Sequence, residues 1–509
     1  MTNRNRFHKL LFECYQLVAE VVIRSMNFIM LQFTCCKVKS AKLTDQEYLD
    51  IIICCCAILT SCSNPTGLND NPNELTRADV GTSLFLNGAQ LANSVIQAGH
   101  VNRITGLYSG QLVAYQSLYS GIYNYGITSG HTNSVWNHIY IAVLTNTRHI
   151  QRQDDILLSG ISKVVEAHAL GTGASVFGDV PFSEAGAVSD PKFDSQKSVF
   201  AGLITILDAE ISDLTSASSR DEPFDIYFEG DASKWVAAAY TLKARYLLQM
   251  KDYTGASAAA LNGISSPAGD MLHKPRGVAS ITEGDKNLFW TILEGSRSGD
   301  LGTRTGFLMD LLDPANAASR NNAKTDETAR FGYYTINESG GNDNDGIIEQ
   351  YEPHRLVTYS ENLLILAECG ARTAGFSAGL GHLNTLRAYL NAGGWLNSNY
   401  SGLAQKYDAY VDADFAAGGI ENADSISQDD ALLREIIEER YVSGFGTYMP
   451  FNDARRLRKS EGHIAVPFPL NTGTATQHVE RLPYGQEEID SNSNAPADPG
   501  ILAVTEVNQ

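Results

Sequence analysis

Along most of the chain the apolar residues fall into helical registers. In "SVWNHIYIAVLTNTRHI" Trp136, Tyr140, Val143, Thr147 and Ile150 stand at i, i+4, i+7, i+11 and i+14, one face of a helix. "KSVFAGLITILDAEISDL" repeats the pattern with Val199, Leu203, Leu207, Ile211 and Leu214, and "SKWVAAAYTLKARYLLQM" with Trp235, Ala239, Leu242 and Tyr246. Later, "ENLLILAECGARTAG" is followed after a glycine-rich break by "GHLNTLRAYLNAGG", whose Leu383, Leu386 and Leu390 share a face.

Helices of this length joined by short breaks, with small residues where they must approach, predict a mainly α fold. Its scaffold would be antiparallel pairs of the tetratricopeptide kind, although no 34-residue period can be aligned. Strand-like alternation is sparse. Two tracts, Ser265 to Thr358 and Ser398 to Asp429, are expected to be long irregular loops, which in a compact body are usually functional or disordered.

One apolar run breaks the pattern. Ile51 to Leu59 is uncharged and about nine residues long, too short for the roughly 20 that span a bilayer but suited to a signal-peptide core. Leu59-Thr60-Ser61-Cys62 follows it and resembles the lipobox of bacterial lipoproteins. In that reading Cys62 takes a diacylglyceryl group and becomes the new N-terminus, two acyl chains giving stable anchoring. Residues 1–61 are then leader and signal peptide, with 1–50 an odd leader or a misassigned start, because Asp45, Glu47 and Asp50 precede the apolar run. Residues 62–78, rich in Asn, Pro, Gly and Asp, read as a lipidated tether, and 79–509 as the folded body.

The chain has 509 residues and a formal charge of −20. Setting aside residues 1–61, with seven Lys/Arg and five Asp/Glu, leaves 31 basic and 53 acidic side chains, a net of −22. That acidity argues against nucleic acid as the partner. Seven of the eight cysteines lie at or before Cys62, and no zinc-like spacing occurs. Cys369 alone remains, in an apolar stretch, and reads as a small buried hydrophobe.

Bond-breaking chemistry lacks its local signatures: HExxH, GxSxG and GxxxxGK[ST] are absent. The glycines of "GTGASVFG" at Gly171 follow no strand and read as a helix break. "GGNDNDGIIEQYE" offers Asp343, Asp345 and Glu349, but an EF-hand register with Gly346 at its sixth position would begin at Gly341, so a solvated turn is expected and no metal site. A glycosidase needs two facing carboxylates, which an acidic chain could supply, so glycoside hydrolase stays open as the alternative beside a purely structural scaffold.

Binding chemistry is better represented. "LYSGQLVAYQSLYSGIYNYG" places Tyr108, Tyr115, Tyr119, Tyr123 and Tyr125 within 18 residues, interleaved with Gln111, Gln116, Ser120 and Asn124. Flat aromatic faces beside amide groups suit a sugar ring and its hydroxyls. Tyr119, Tyr123, Asn124 and Tyr125 are candidate ligand contacts. For Tyr115 and Tyr119, four residues apart, the alternative is one buried helix face; Tyr123 and Tyr125, between Gly121 and Gly126, are expected in a loop.

Taken in order, "NDNPNELT", "VWNHIYIAVLTN", "GASVFGDVPFSEA", "FDIYFEGDASKWVAAAYTLKARYLLQM", "RLVTYSENLLILAECGAR" and "LLREIIEERYVSGFGTYMPFNDARRL" resemble the SusD/RagB-type nutrient-binding outer-membrane lipoproteins of Bacteroidetes, in their SusD-like branch. The chain departs from that pattern at "LLDPANAASRNN", where no Arg follows Asp313-Pro314, and at Tyr448-Met449, where a Trp is frequent. The resemblance implies a mostly helical, non-enzymatic body, without cofactors, that sits as a lid on a TonB-dependent transporter barrel and delivers oligosaccharides or peptides to it. It also implies binding loops in the mid-chain stretch, making Trp290, Arg297 and Arg304 candidate ligand contacts.

Overall fold

An uncharged helix, α1 (Thr82–Ala98), opens the body and buries Leu86, Ala89 and Ile96. The computed structural model describes residues 80–277, 284–338, 344–471 and 475–509. The leader, Cys62, the tether and Asp343 lie outside the described residues.

After Gly99 come α2 (His100–Tyr108), β1 (Val113–Ala114) and α3 (Ser117–Tyr123). The next helical run passes from Asn133–Asn137 through a π-helical His138–Val143 into α4 (Leu144–Ile150). The face read from its sequence is buried at Trp136, Val143, Thr147 and Ile150, and the Tyr140 hydroxyl donates to the Pro181 carbonyl at 2.9 Å. The π turn, with Ile139 fully buried and Tyr140 only half-buried, leaves no mark in the apolar spacing, which reads as plain α-helix.

Helix α5 (Ile156–Phe177), capped by Asp155, is buried on nearly every side and ends at Gly178, whose φ of 87° suits glycine. Gly171 and Gly173 lie inside α5, which corrects the reading of "GTGASVFG" as a break. A Cβ at Gly171 would come within 2.1 Å of the Tyr246 hydroxyl oxygen, so the glycine is there to let two helices approach. The β2 (Val180–Pro181) and β3 (Phe193–Asp194) ladder leads into α6 (Gln196–Ser216). Lys163 meets Glu210 at 2.7 Å and Gln196 Nε2 donates to the Ala174 carbonyl at 2.8 Å. Those contacts, at opposite ends, make α5 and α6 an antiparallel pair.

Helices α7 (Ala232–Gln249) and α8 (Tyr253–Ala260) form the next pair. The "FDIYFEGDASKW" segment turns on Asp225, which is fully buried and accepts from Gln90 Nε2 at 2.7 Å, Trp235 Nε1 at 2.7 Å and the Gly230 amide at 2.9 Å. Asp231 then caps α7.

The tract expected to be irregular is instead a series of short elements: β4 (Met271–His273), α9 (Leu288–Thr291), β5 (Leu301–Gly302), α10 (Phe307–Leu312), β6 (Thr325–Asp326), α11 (Thr328–Tyr334) and β7 (His354–Val357). Antiparallel ladders β1–β5, β4–β7 and β6–β8 (Lys406–Tyr407) tie this region to distant segments. Strands of two to four residues are too short to show alternation.

Helices α12 (Tyr359–Thr373) and α13 (Phe376–Asn391) pack as a further pair, followed by α14 (Gln428–Ser443) and α15 (Met449–Leu457). Glu361 and Glu368, seven apart on α12, both meet arginines of neighbouring helices: Glu361 pairs with Arg245 at 2.6 Å, and Glu368 with Arg456 at 2.7 Å, as well as with Arg372 of its own helix at 3.0 Å. Those ion pairs fix α12 against α7 and α15. Cys369 is buried beside Leu247, Ala256 and Ile365, where burial pushes its thiol up to about 12. The fold is therefore mainly helical, with paired helices as scaffold and little β-structure, as the sequence pattern implies.

Candidate functional site

Two stretches far apart in sequence meet at the β1–β5 ladder. Val113 pairs with Gly302 and Ala114 with Leu301. The Tyr115 amide extends the pairing by donating to the Asp300 carbonyl at 2.9 Å. Gln116 Nε2 donates to the Ser298 carbonyl at 3.2 Å, and the Tyr115 and Thr305 hydroxyls are 3.2 Å apart. The tyrosine-rich stretch and the Arg297–Arg304 stretch are thus edges of one face.

The tyrosines take different roles within it. Helix α3 starts only at Ser117, so Tyr115 lies on the extension of β1, 38% exposed, while Tyr119 faces inward at 2%. Arg103 Nε donates to the Tyr119 hydroxyl oxygen at 2.5 Å, and His100 Nδ1 is 3.2 Å from it. Burial, with Arg103 and His131 adding to it, holds His100 down at about 3. The neutral imidazole can therefore accept the Tyr119 proton. The Arg103 guanidinium also lies 5.9 Å from the Tyr119 ring centre and 5.6 Å from that of Phe289. Tyr119 has no ring face to offer a ligand; it is a post that ties α3 to α2, and its expected place as a ligand contact is corrected.

Tyr123 and Tyr125 are half-buried and Asn124 is exposed. Burial raises the Tyr123 hydroxyl, with Tyr115 next in effect; burial also raises Tyr125, against a hydrogen bond from Asn471 and the charge of Arg458. Tyr115, Tyr123 and Tyr125 therefore lie in succession, each within electrostatic reach of the next. Asn471 Nδ2 donates to the Tyr123 carbonyl at 3.2 Å, and Tyr125 meets Tyr108 edge-on at 5.8 Å. Asn124 Nδ2 donates to the Ser120 carbonyl at 2.8 Å. Ser117 and Tyr125, at φ of 53° and 66°, bracket α3 in the left-handed region. Such non-glycine conformations cost about 1–3 kcal/mol each and cluster at ligand sites.

Trp290 is half-buried beside the buried Phe289, and Lys286 Nζ lies 4.8 Å from its ring centre. Arg297 faces Asp300 at 3.6 Å and Arg304 faces Glu338 at 3.8 Å. Away from this face, Asp345 accepts the Tyr400 hydroxyl at 2.6 Å, and Glu349 accepts the Tyr351 amide at 2.8 Å.

The sequence reading left Tyr115, Thr305, Asp300 and Glu338 out of the candidate set. The first could be found in "LVAYQ", which is extended rather than helical in composition; the others are brought in by the ladder and by tertiary packing alone.

A family profile described as "Starch-binding associating with outer membrane", SusD-like, matches residues 72–448. The chain belongs to the SusD-like family. Among solved structures, this SusD-like chain is similar to a SusD/RagB family protein of Bacteroides thetaiotaomicron at 18% identity and TM-score 0.59, over 82% of this chain and 95% of that one. A chitin-binding SusD homologue of Flavobacterium johnsoniae matches at 18% identity and TM-score 0.61, over 83% and 98%. A SusD homologue of Parabacteroides distasonis matches at 16% and 0.60, over 83% and 96%. These likenesses establish the fold. No curated protein matches the chain. Among the described residues, no helix is long and apolar enough to cross a membrane.

Proposed function

We propose that this SusD-like chain is a cell-surface lipoprotein, anchored through Cys62 in the outer membrane, that captures oligosaccharides and passes them to a TonB-dependent transporter barrel. The observation that supports the reading is the β1–β5 ladder, which brings exposed Tyr115 to Thr305 and to the Arg297–Arg304 stretch, with half-buried Tyr123 within electrostatic reach of Tyr115. Aromatic faces flanked by hydroxyl, amide and guanidinium groups suit a sugar chain. Trp290 and Asn124 extend the set of proposed contacts. The family description and the chitin-binding relative favour a glycan over a peptide.

Capture without cleavage is the better-supported chemistry. The carboxylates at the face, Asp300 and Glu338, each have an arginine as ion-pair partner, whereas glycoside hydrolysis needs two carboxyl groups placed across one bond.

The test incubates the purified chain with a panel of oligosaccharides. The reading expects retained, uncleaved sugar, and affinity lowered at least tenfold in a Tyr115→Ala, Tyr123→Ala variant of unchanged thermal stability. New reducing ends, or retention untouched by both substitutions, would overturn it. Recovery of the acylated chain with a large β-barrel from outer membrane tests the anchor and the partner.

A further inference from the structure

The arginines at the tyrosine face are paired more loosely than most of those in the interior. Inside the body, several guanidinium groups donate directly to carboxylates, Arg245 to Glu361 at 2.6 Å, Arg456 to Glu368 at 2.7 Å, Arg440 to Asp453 at 3.0 Å and Arg330 to Glu439 at 3.1 Å, whereas buried Arg387 stands 3.9 Å from Glu435 and donates to carbonyls instead. At the face, Arg297 stands 3.6 Å from Asp300 and Arg304 stands 3.8 Å from Glu338, with the two arginine side chains 40% and 58% exposed. Both separations exceed hydrogen-bond length. Arg458, within electrostatic reach of Tyr125, has its carboxylate Glu480 at 3.4 Å.

The electrostatic consequence follows from the pairing. A carboxylate within 4 Å offsets about half of its guanidinium's potential at a ligand in contact with the guanidinium, and more at longer range, while the separation leaves the guanidinium N–H groups unspent on that carboxylate. Asp300 Oδ2 and Glu338 Oε2 likewise have no hydrogen-bond donor among the described residues. Such a pair offers donors to sugar hydroxyls without offering net charge to a carboxylate or sulfate, which an unpaired, bidentate arginine would seek.

We propose that Asp300 and Glu338 are specificity determinants: by cancelling the charge of Arg297 and Arg304, they fit the tyrosine face to uncharged glycans and turn away uronic-acid chains. The inference rests on the glycan-capture reading and narrows its substrate class. Glu338 is the residue to change, because its side chain is at the rim and 28% exposed, whereas that of Asp300 is enclosed.

The experiment offers the immobilised full chain neutral starch, chitin, xylan and mannan oligosaccharides, together with oligogalacturonates both native and carboxyl-reduced. The expected result is retention of a neutral sugar, with native oligogalacturonate bound at least tenfold more weakly than the best neutral probe. Glu338→Gln should narrow that gap at least threefold, and added salt should restore part of it. The wild-type comparison stands even where the variant fails to fold. Native oligogalacturonate binding as tightly as any neutral probe, or a folded Glu338→Gln chain with an unchanged ratio, overturns the inference and leaves glycan capture standing. Retention of no sugar at all overturns both.

Discussion

The Tyr119 hydroxyl accepts from Arg103 and has His100 as the partner for its own proton, so its worth is structural. Tyr119→Phe keeps the ring and removes the oxygen, leaving a buried guanidinium N–H unpartnered. Chemical denaturation should show a loss of about 1–3 kcal/mol. Tyr115→Ala, at an exposed position, should stay within about 0.5 kcal/mol of the parent. Unchanged stability in Tyr119→Phe would contradict the assignment of the two roles. At this scale composition singled out the tyrosine-rich stretch but not which of its rings are exposed. Tyr115 and Tyr119 sit four apart, a spacing that predicts one helix face, yet the helix starts between them. Only the β5 partner strand, nearly 200 residues on, fixes which ring points outward.

Helix positions were legible wherever an apolar face runs for several turns, as in α6, α7, α12 and α13, because burial of that face is what stabilises them. The ladders were not legible, since two residues of strand carry no period and their partners are remote. Gly171 shows the limit from the other side: a glycine in a helix reads as a break, whereas here it makes room for Tyr246, whose hydroxyl donates to the Ala167 carbonyl at 2.9 Å. Gly171→Ala should therefore destabilise the α5–α7 contact by about 1–3 kcal/mol through overpacking, despite alanine's better helix propensity. A stabilised Gly171→Ala chain, measured by thermal unfolding, would contradict that account.

Across the whole molecule the acidity of the sequence conceals how its charges are arranged. Arginines and glutamates that look scattered along the chain meet in buried networks between helices, as around Glu368, and these set how stability responds to acid. Burial alone would raise the Glu368 carboxyl, but Arg456, Arg440 and Arg372 hold it at about 2. Its contribution is full above about pH 4.5 and is lost as pH falls from there toward 2. His100 and His354 act earlier. Burial lowers both to about 3, so the unfolded chain takes up protons below about pH 6.5 while the native chain does not. By pH 5 each such histidine costs about 2 kcal/mol of stability. Denaturation midpoints should decline from pH 7 to 5 and more steeply below 4.5, and His100→Asn should flatten the upper part of the curve.

The claim on which the functional account depends is that a sugar chain lies along Tyr115, Tyr123 and the Arg297–Arg304 edge. Hydroxyl-radical footprinting of the full chain, with and without the best-retained neutral oligosaccharide, tests it most directly. The account predicts protection of Tyr115 and Tyr123 with Tyr119 unchanged in both states. Protection confined to other surfaces, with Tyr115 and Tyr123 oxidised equally in both, would contradict it.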